Sequence, residues 1–163
     1  MRFACERPQD SAAVDALIDL AFGPGRFAKT AERLREGARA HSKMSVCAWM
    51  GDGLAGAVRL WPARLGGHQV VFLGPIAVEK TLRHRGLGAE LVDQACARAR
   101  AAGEQVVILV GDLGFFGPLG FQPVPAGLVV PPGPVDPRRL LWTAFSPGAL
   151  KGMGGSLKAV RPA

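Results

Sequence analysis

The sequence predicts a single α/β domain with a mixed central sheet, and three observations carry that reading. Between His68 and Val110 an apolar strand, an amphipathic helix and a second apolar strand follow one another, which is a parallel crossover unit. Both strands, "HQVVFLGPIAV" and "QVVILV", are nearly continuous apolar runs, the mark of burial on both faces. Helical and hairpin patterns precede this unit and more strands follow it. Without an internal repeat or a linker-like stretch, residues 1–163 read as one domain.

"SAAVDALIDLAF" sets Val14, Leu17, Ile18 and Ala21 at helical spacing, with Asp10 or Ser11 as N-cap. "GPG" at Gly23–Gly25 breaks the chain, and "RFAKTAERLREGARA" reads as a second amphipathic helix. "MSVCAWMGDGLAGAVRLWPA" is a hairpin turning at "GDG". In the long strand Gly74-Pro75 predicts a kink, because proline cannot donate to a ladder. The next helix buries Leu87, Leu91, Val92, Ala95 and Ala99, and Gly103 closes it. Asp112 caps a short helix at "LGFFGPLG". Strands at "AGLVV" and "RRLLWTAF", separated by the turn-rich "PPGPVDP", complete the order.

Composition is that of an ordinary globule, 48% apolar and 20% charged. Cys5, Cys47 and Cys96 are odd in number and far apart, so neither a disulfide scaffold nor a metal site is expected. "MRFACERPQDSAAVDA" lacks a signal-peptide core, and no apolar run reaches membrane length. The expectation is a cytoplasmic protein without a membrane partner. A net charge of +7 suits an anionic partner. Nucleic acid is disfavoured, since the arginines are scattered, tyrosine is absent and "RRLLW" alone joins basic and aromatic residues.

"RHRGLG" (Arg83–Gly88) lies between the kinked strand and the long helix. A helix start offers free N–H groups and positive dipole, and glycines let phosphate oxygens come close. Arg83 and Arg85 add charge. The alternative is a glycine-rich turn that binds nothing. A P-loop pattern is missing. A dinucleotide fingerprint fits poorly, with Leu91 at its third glycine, although Asp112 imitates the ribose-binding acid. The pattern Arg/Gln-x-x-Gly-x-Gly/Ala fits in full.

With "LGPIAV" before that loop and "VVILVGDLGFFGPLGF" after it, the chain resembles the GNAT superfamily of acyl-CoA-dependent N-acetyltransferases. "AFGPGRFAKTAERLRE" and "PGALKGMGGSL" resemble a bacterial branch of small predicted acetyltransferases. The resemblance implies acetyl-CoA, or another acyl-CoA, as the donor. It implies two central strands that splay, with the pantetheine arm in the wedge against Ile76, Ala77 and Val78. The pyrophosphate would then lie on Arg83, His84, Arg85, Gly86, Leu87, Gly88 and Ala89. The acceptor would be a primary amine of a small molecule or protein, and a homodimer is a further expectation.

The implied reaction is direct attack of the amine on the thioester, with the Ile76 N–H polarising the carbonyl. Where many family members place a general-acid tyrosine, this chain has Phe116. A thiol of pKa near 8.5 leaves as thiolate at pH 7 at a cost of about 2 kcal/mol. General-acid help is typically worth roughly 10²–10⁴-fold, so its loss slows the reaction without forbidding it. Deprotonating an ammonium of pKa near 10.4 costs about 4.6 kcal/mol, and Asp112 and Glu79 are the candidate bases. Each has a second role open to it: Asp112 as helix cap, Glu79 as solvated surface acid. His84 is a phosphate contact or an idle loop residue, and Cys96 is packing. The acceptor walls would draw on Arg26, Phe27, Lys29 and Trp142.

Two rivals remain at this stage. One is a non-catalytic acyl-CoA-binding module, suggested by Phe116. The other is a basic nucleic-acid-associated protein whose first two helices form a helix-turn-helix.

Overall fold

The computed structural model describes residues 1–23, 25, 26 and 29–162. Among these residues nine strands are formed: β1 (Arg2–Cys5), β2 (Val46–Met50), β3 (Gly53–Leu65), β4 (His68–Val78), β5 (Val106–Val110), β6 (Gln122–Pro123), β7 (Val129–Val130), β8 (Leu140–Ala144) and β9 (Gly155–Ala159). The helices are α1 (Ser11–Phe22), α2 (Leu87–Ala101) and the single turn α3 (Leu113–Phe116). Strand order is β1-β2-β3-β4-β5-β8-β6, with β9 pairing with β3 and β7. Neighbours run antiparallel except at β4–β5 and β7–β9.

Two faces of this sheet are buried. On one, Val58, Leu60, Val71, Leu73, Val107 and Leu109 pack under Leu87, Leu91, Val92, Ala95 and Ala99 of α2. On the other, Val14 and Ile18 of α1 cover Cys47, Ala57 and Ala77. Trp61, Phe72, Ile108 and Trp142 also face this side, beneath Leu34 and the C-terminal strands. All five residues read as buried in α2 are buried, whereas in α1 Val14 and Ile18 are buried and Leu17 and Ala21 are half-buried beside them. Among the described residues no helix is long and apolar enough to cross a membrane.

The β2–β3 hairpin turns at Gly51-Asp52, where Gly51 has φ +60°. Helix α2 ends in a Schellman motif. Gly103 (φ +89°) donates to Arg100 O at 3.1 Å and Glu104 donates to Ala99 O at 3.0 Å. Asp10 stands at the N-cap position of α1, but its carboxylate turns back onto Arg7 and makes no cap bond to the helix.

Several expectations are corrected. The second amphipathic helix is a 3-10 turn at Thr30–Leu34 followed by irregular turns. Its polar residues are drawn into distant contacts. Thr30 Oγ1 donates to Pro134 O at 2.5 Å and Arg33 Nη1 to Pro132 O at 2.8 Å, so tertiary bonds override helical preference. The helix-turn-helix reading loses its second helix among the described residues. "AGLVV" contracts to the two residues of β7, and β1, β6 and β9 were not foreseen. Phe27 lies outside the described residues.

Candidate active site

The site begins where β4 changes partners. Val58 pairs with Ile76 and Leu60 with Leu73, so Gly74 and Pro75 together oppose Arg59 in a bulge. The Gly74-Pro75 bond is cis, and the Gly74 carbonyl accepts from Trp61 Nε1 at 2.6 Å. Beyond the bulge β4 stays with β3 through Val78. On its other edge it pairs with β5 only at Val71–Val107 and Phe72–Ile108, although both strands run on. The central strands therefore part.

Backbone alternation decides which groups face the gap. Glu79 N donates to Ala55 O at 2.8 Å, which turns the odd-numbered residues of this stretch toward β3. Ile76 and Val78 then present their main-chain groups to the gap. Ala77 spends its own on the β3 ladder and packs its side chain beneath α1. The Val78 carbonyl is met by Arg83, and main-chain groups left unpaired in a half-buried gap are costly unless something binds them.

A groove of about 1060 Å³ runs from the start of α2 through this gap to the opposite face. Its α2 end is lined by Arg83, His84, Gly86, Leu87, Gly88 and Ala89. Gly86 is the N-cap of α2 in the left-handed region, with φ +84° and nothing within 4 Å of a Cβ. Glycine suits this left-handed backbone, and no protein atom occupies the space beside it. His84 also has positive φ, +64°. The first-turn amides of α2 have no intrahelical partner. The Arg83 amide reaches Lys80 O at 3.5 Å, leaving the amides that follow it as donors. Arg83 Nε donates to Val78 O at 3.2 Å, so the guanidinium bridges the loop and the gap. Arg85 does not line the groove.

Asp112 lines the groove and caps α3, its Oδ2 accepting from Phe115 N at 3.2 Å. Oδ1 makes no hydrogen bond to the described residues. Glu79 does not line the groove. It caps the 3-10 turn Lys80–Leu82, accepting from Thr81 N at 2.9 Å and from the Thr81 hydroxyl. The Thr81 hydroxyl bond holds its carboxyl below the ordinary range, the wrong direction for a base.

Phe116 is a groove wall with no proton to give. Its ring is 7% exposed, edge-on to Phe115 (4.7 Å) and Phe121 (5.6 Å). It presses on Gly111, where a Cβ would come within 2.4 Å of the ring. Burial pushes the Cys96 thiol up to about 12, in keeping with packing.

On the far face the groove is lined by Arg26, Lys29, Thr30, Arg35, Pro134 and Arg139, among others. Trp142 is instead buried in the sheet, away from the groove. Arg35 was not foreseen, because the sequence placed it on a regular helix face. It lies over the Phe72 ring, 6.0 Å from the centroid, and bonds Glu32 Oε2 through Nε (3.3 Å) and Nη2 (3.1 Å). Arg59 was also missed, although a charge inside "AGAVRLWPA" is a visible break in an apolar strand. Its guanidinium binds Glu6 (2.8 Å) and Asp15 (2.6 Å), tying β1 and α1 to β3.

The sheet is thus unzipped at its centre, with a glycine-rich helix start at one end of the gap. The model of the acetyltransferase (GNAT) family matches residues 11–121, and the chain belongs to that family. Its fold is similar to that of YhbS, a GNAT family N-acetyltransferase from Escherichia coli solved in complex with CoA. The TM-score is 0.83 at 23% identity over 98% of this chain and 89% of that one. A GNAT acetyltransferase from Brucella melitensis in complex with acetyl-CoA gives 0.62 at 24% identity, over 92% and 97%. A Bacillus subtilis acetyltransferase in complex with CoA gives 0.60 at 20% identity, over 89% and 99%. Comparison with curated sequences gave no significant match.

Proposed function

We propose that this protein is an N-acetyltransferase that binds acetyl-CoA, or a related acyl-CoA, and transfers the acyl group to a primary amine. The observation that carries the reading is the parting of β4 from β5 directly before the glycine-rich start of α2. The residues fit the donor: a run of free amides, Arg83 and His84 suit a diphosphate, and the gap-facing backbone of Ile76 and Val78 suits the amides of a pantetheine arm. Gly88 lines the groove beside Phe115, where a Cβ would make only ordinary contact at 3.4 Å. The complexes of similar proteins with CoA or acetyl-CoA support the same choice.

The bound donor would supply an acetyl thioester. In this reading the chain orients it through Ile76 and Val78, and the Ile76 N–H stabilises negative charge on the carbonyl oxygen. Phe116 excludes water from the reacting region without protonating anything. Asp112 is the groove carboxylate available to hold or accept the proton of an ammonium. Glu79, committed to Thr81, has no part in the step.

The ring at Phe116 favours one second reading, a module that binds acyl-CoA without turning it over. Calorimetric titration with acetyl-CoA followed by a free-thiol assay across primary amines separates them. Binding with thiol release supports the enzyme, binding without release supports the module, and no binding overturns both.

A further inference from the structure

Resting on the reading just given, we infer that the acceptor is a small amine that also carries an anionic group, a carboxylate or a phosphate, received by Arg35 at the far end of the groove. On the face away from α2 the groove-lining side chains include Arg26, Lys29, Arg35 and Arg139, and among the described residues Asp136 is the one carboxylate lining that end, while Arg26 is paired with Asp19 at 3.0 Å outside the lining. Asp136 is already engaged by its neighbour, accepting from Arg138 Nη2 at 3.0 Å, Nε at 3.2 Å and N at 3.0 Å. The remaining groove carboxylate, Asp112, caps α3 on the α2 side. An amine placed toward Asp112 with an anion toward Arg35 would meet opposite charge at both ends.

Arg35 is the focus for three reasons. Its side chain is only 10% exposed, so its charge is largely removed from water. The nearby carboxylate, Glu32, is shared: Arg26 Nη1 stands 3.6 Å from the oxygen that Arg35 Nη2 holds at 3.1 Å. Its Nη1 is turned to the groove wall, 3.4 Å from where a Cβ on Gly74 would sit, while Nε and Nη2 take Glu32. Burial lowers the guanidinium from its ordinary value, with Arg26 and Arg59 adding to the effect, so an arriving anion is rewarded. Lys29 and Arg139 are exposed and extend the positive field outward.

The far end is also stapled. The Thr30–Pro134 and Arg33–Pro132 hydrogen bonds join its two walls, and Thr30 and Pro134 line the groove. These bonds hold that end in one shape, which suits a small acceptor.

The test pairs each anionic amine with its neutral counterpart in the free-thiol assay: β-alanine with propylamine, γ-aminobutyrate with butylamine, phosphoethanolamine with ethanolamine. The expected result is a kcat/KM at least about 100-fold higher for one anionic member than for its counterpart, since a site built for a polar group rejects the analogue lacking it. The carboxylate and phosphate arms tell the two sources apart. Arg35→Gln is expected to cut that preference about 10- to 100-fold. CoA affinity is measured alongside, and if that variant fails to fold, the exposed pair Lys29→Gln and Arg139→Gln must still reduce the preference. Equal turnover within every pair, better turnover of a lysine-rich peptide, or no turnover of any anionic amine by protein that binds acetyl-CoA would overturn this inference alone. Failure to bind acetyl-CoA overturns the underlying function as well.

Discussion

Trp61 Nε1 donates to the carbonyl of Gly74 at 2.6 Å, and this bond fastens the bulge from which the central strands diverge. Both residues are buried, so water cannot replace the indole. Trp61→Phe keeps an aromatic ring and strands the carbonyl. A loss of about 1–3 kcal/mol in unfolding free energy by urea titration is expected. Weaker acetyl-CoA binding should accompany it, because the backbone of Ile76 follows directly from the bulge.

Arg83→Ala removes both the bond to Val78 O and a charge at the diphosphate end. A drop in acetyl-CoA affinity of roughly tenfold by calorimetry is expected, as for loss of a charged hydrogen bond. Gly86→Val should weaken binding further. A β-branched residue at φ +84° pays about 1–2 kcal/mol or rotates the very amides that face the ligand. Unchanged affinity in both variants would refute the loop assignment.

Phe116→Tyr offers a hydroxyl where the wall now has none. If thiolate departure limits the reaction, kcat should rise, with general-acid help of roughly 10²-fold as a conservative ceiling. The readout is kcat against KM in the thiol assay. An unaltered kcat would mean that thiolate departure does not limit the reaction.

Asp10 gives a pH prediction. Arg7 donates to its carboxylate through Nε, Nη2 and the main-chain N–H, holding its pKa below the ordinary 3.8. A carboxyl depressed by folding stabilises the native state above its unfolded pKa. That contribution disappears as pH falls through the lower folded value. Asp10→Asn should therefore be less stable than the parent at pH 7, and the two stability curves should converge below about pH 4. Parallel curves in acid would contradict the assignment.

The parts legible in the sequence are those specified by neighbours. Leu87, Leu91, Val92, Ala95 and Ala99 announce α2 by spacing, Gly103 marks its end, and Gly74-Pro75 marks the kink. Asp112 as cap follows from the same local logic. The far wall of the groove was opaque because it is built from residues a hundred positions apart. Thr30 meets Pro134 and Arg33 meets Pro132, and nothing in "KTAERLRE" distinguishes a helix face from a strap. The edge strand β1 is short and mixed in polarity, and β9 acquires its place from pairing with β7 and with Ala63–Leu65 of β3.

The passage through the sheet has a kinetic corollary. Its lining extends from Gly86 at the start of α2 to Arg35 on the other face of the sheet. If, as proposed, the donor sits at the Gly86 end and the acceptor at the Arg35 end, neither need queue behind the other, and spent donor can depart while the modified acceptor is still seated. Steady-state plots should then intersect, and neither reactant should be required to arrive first.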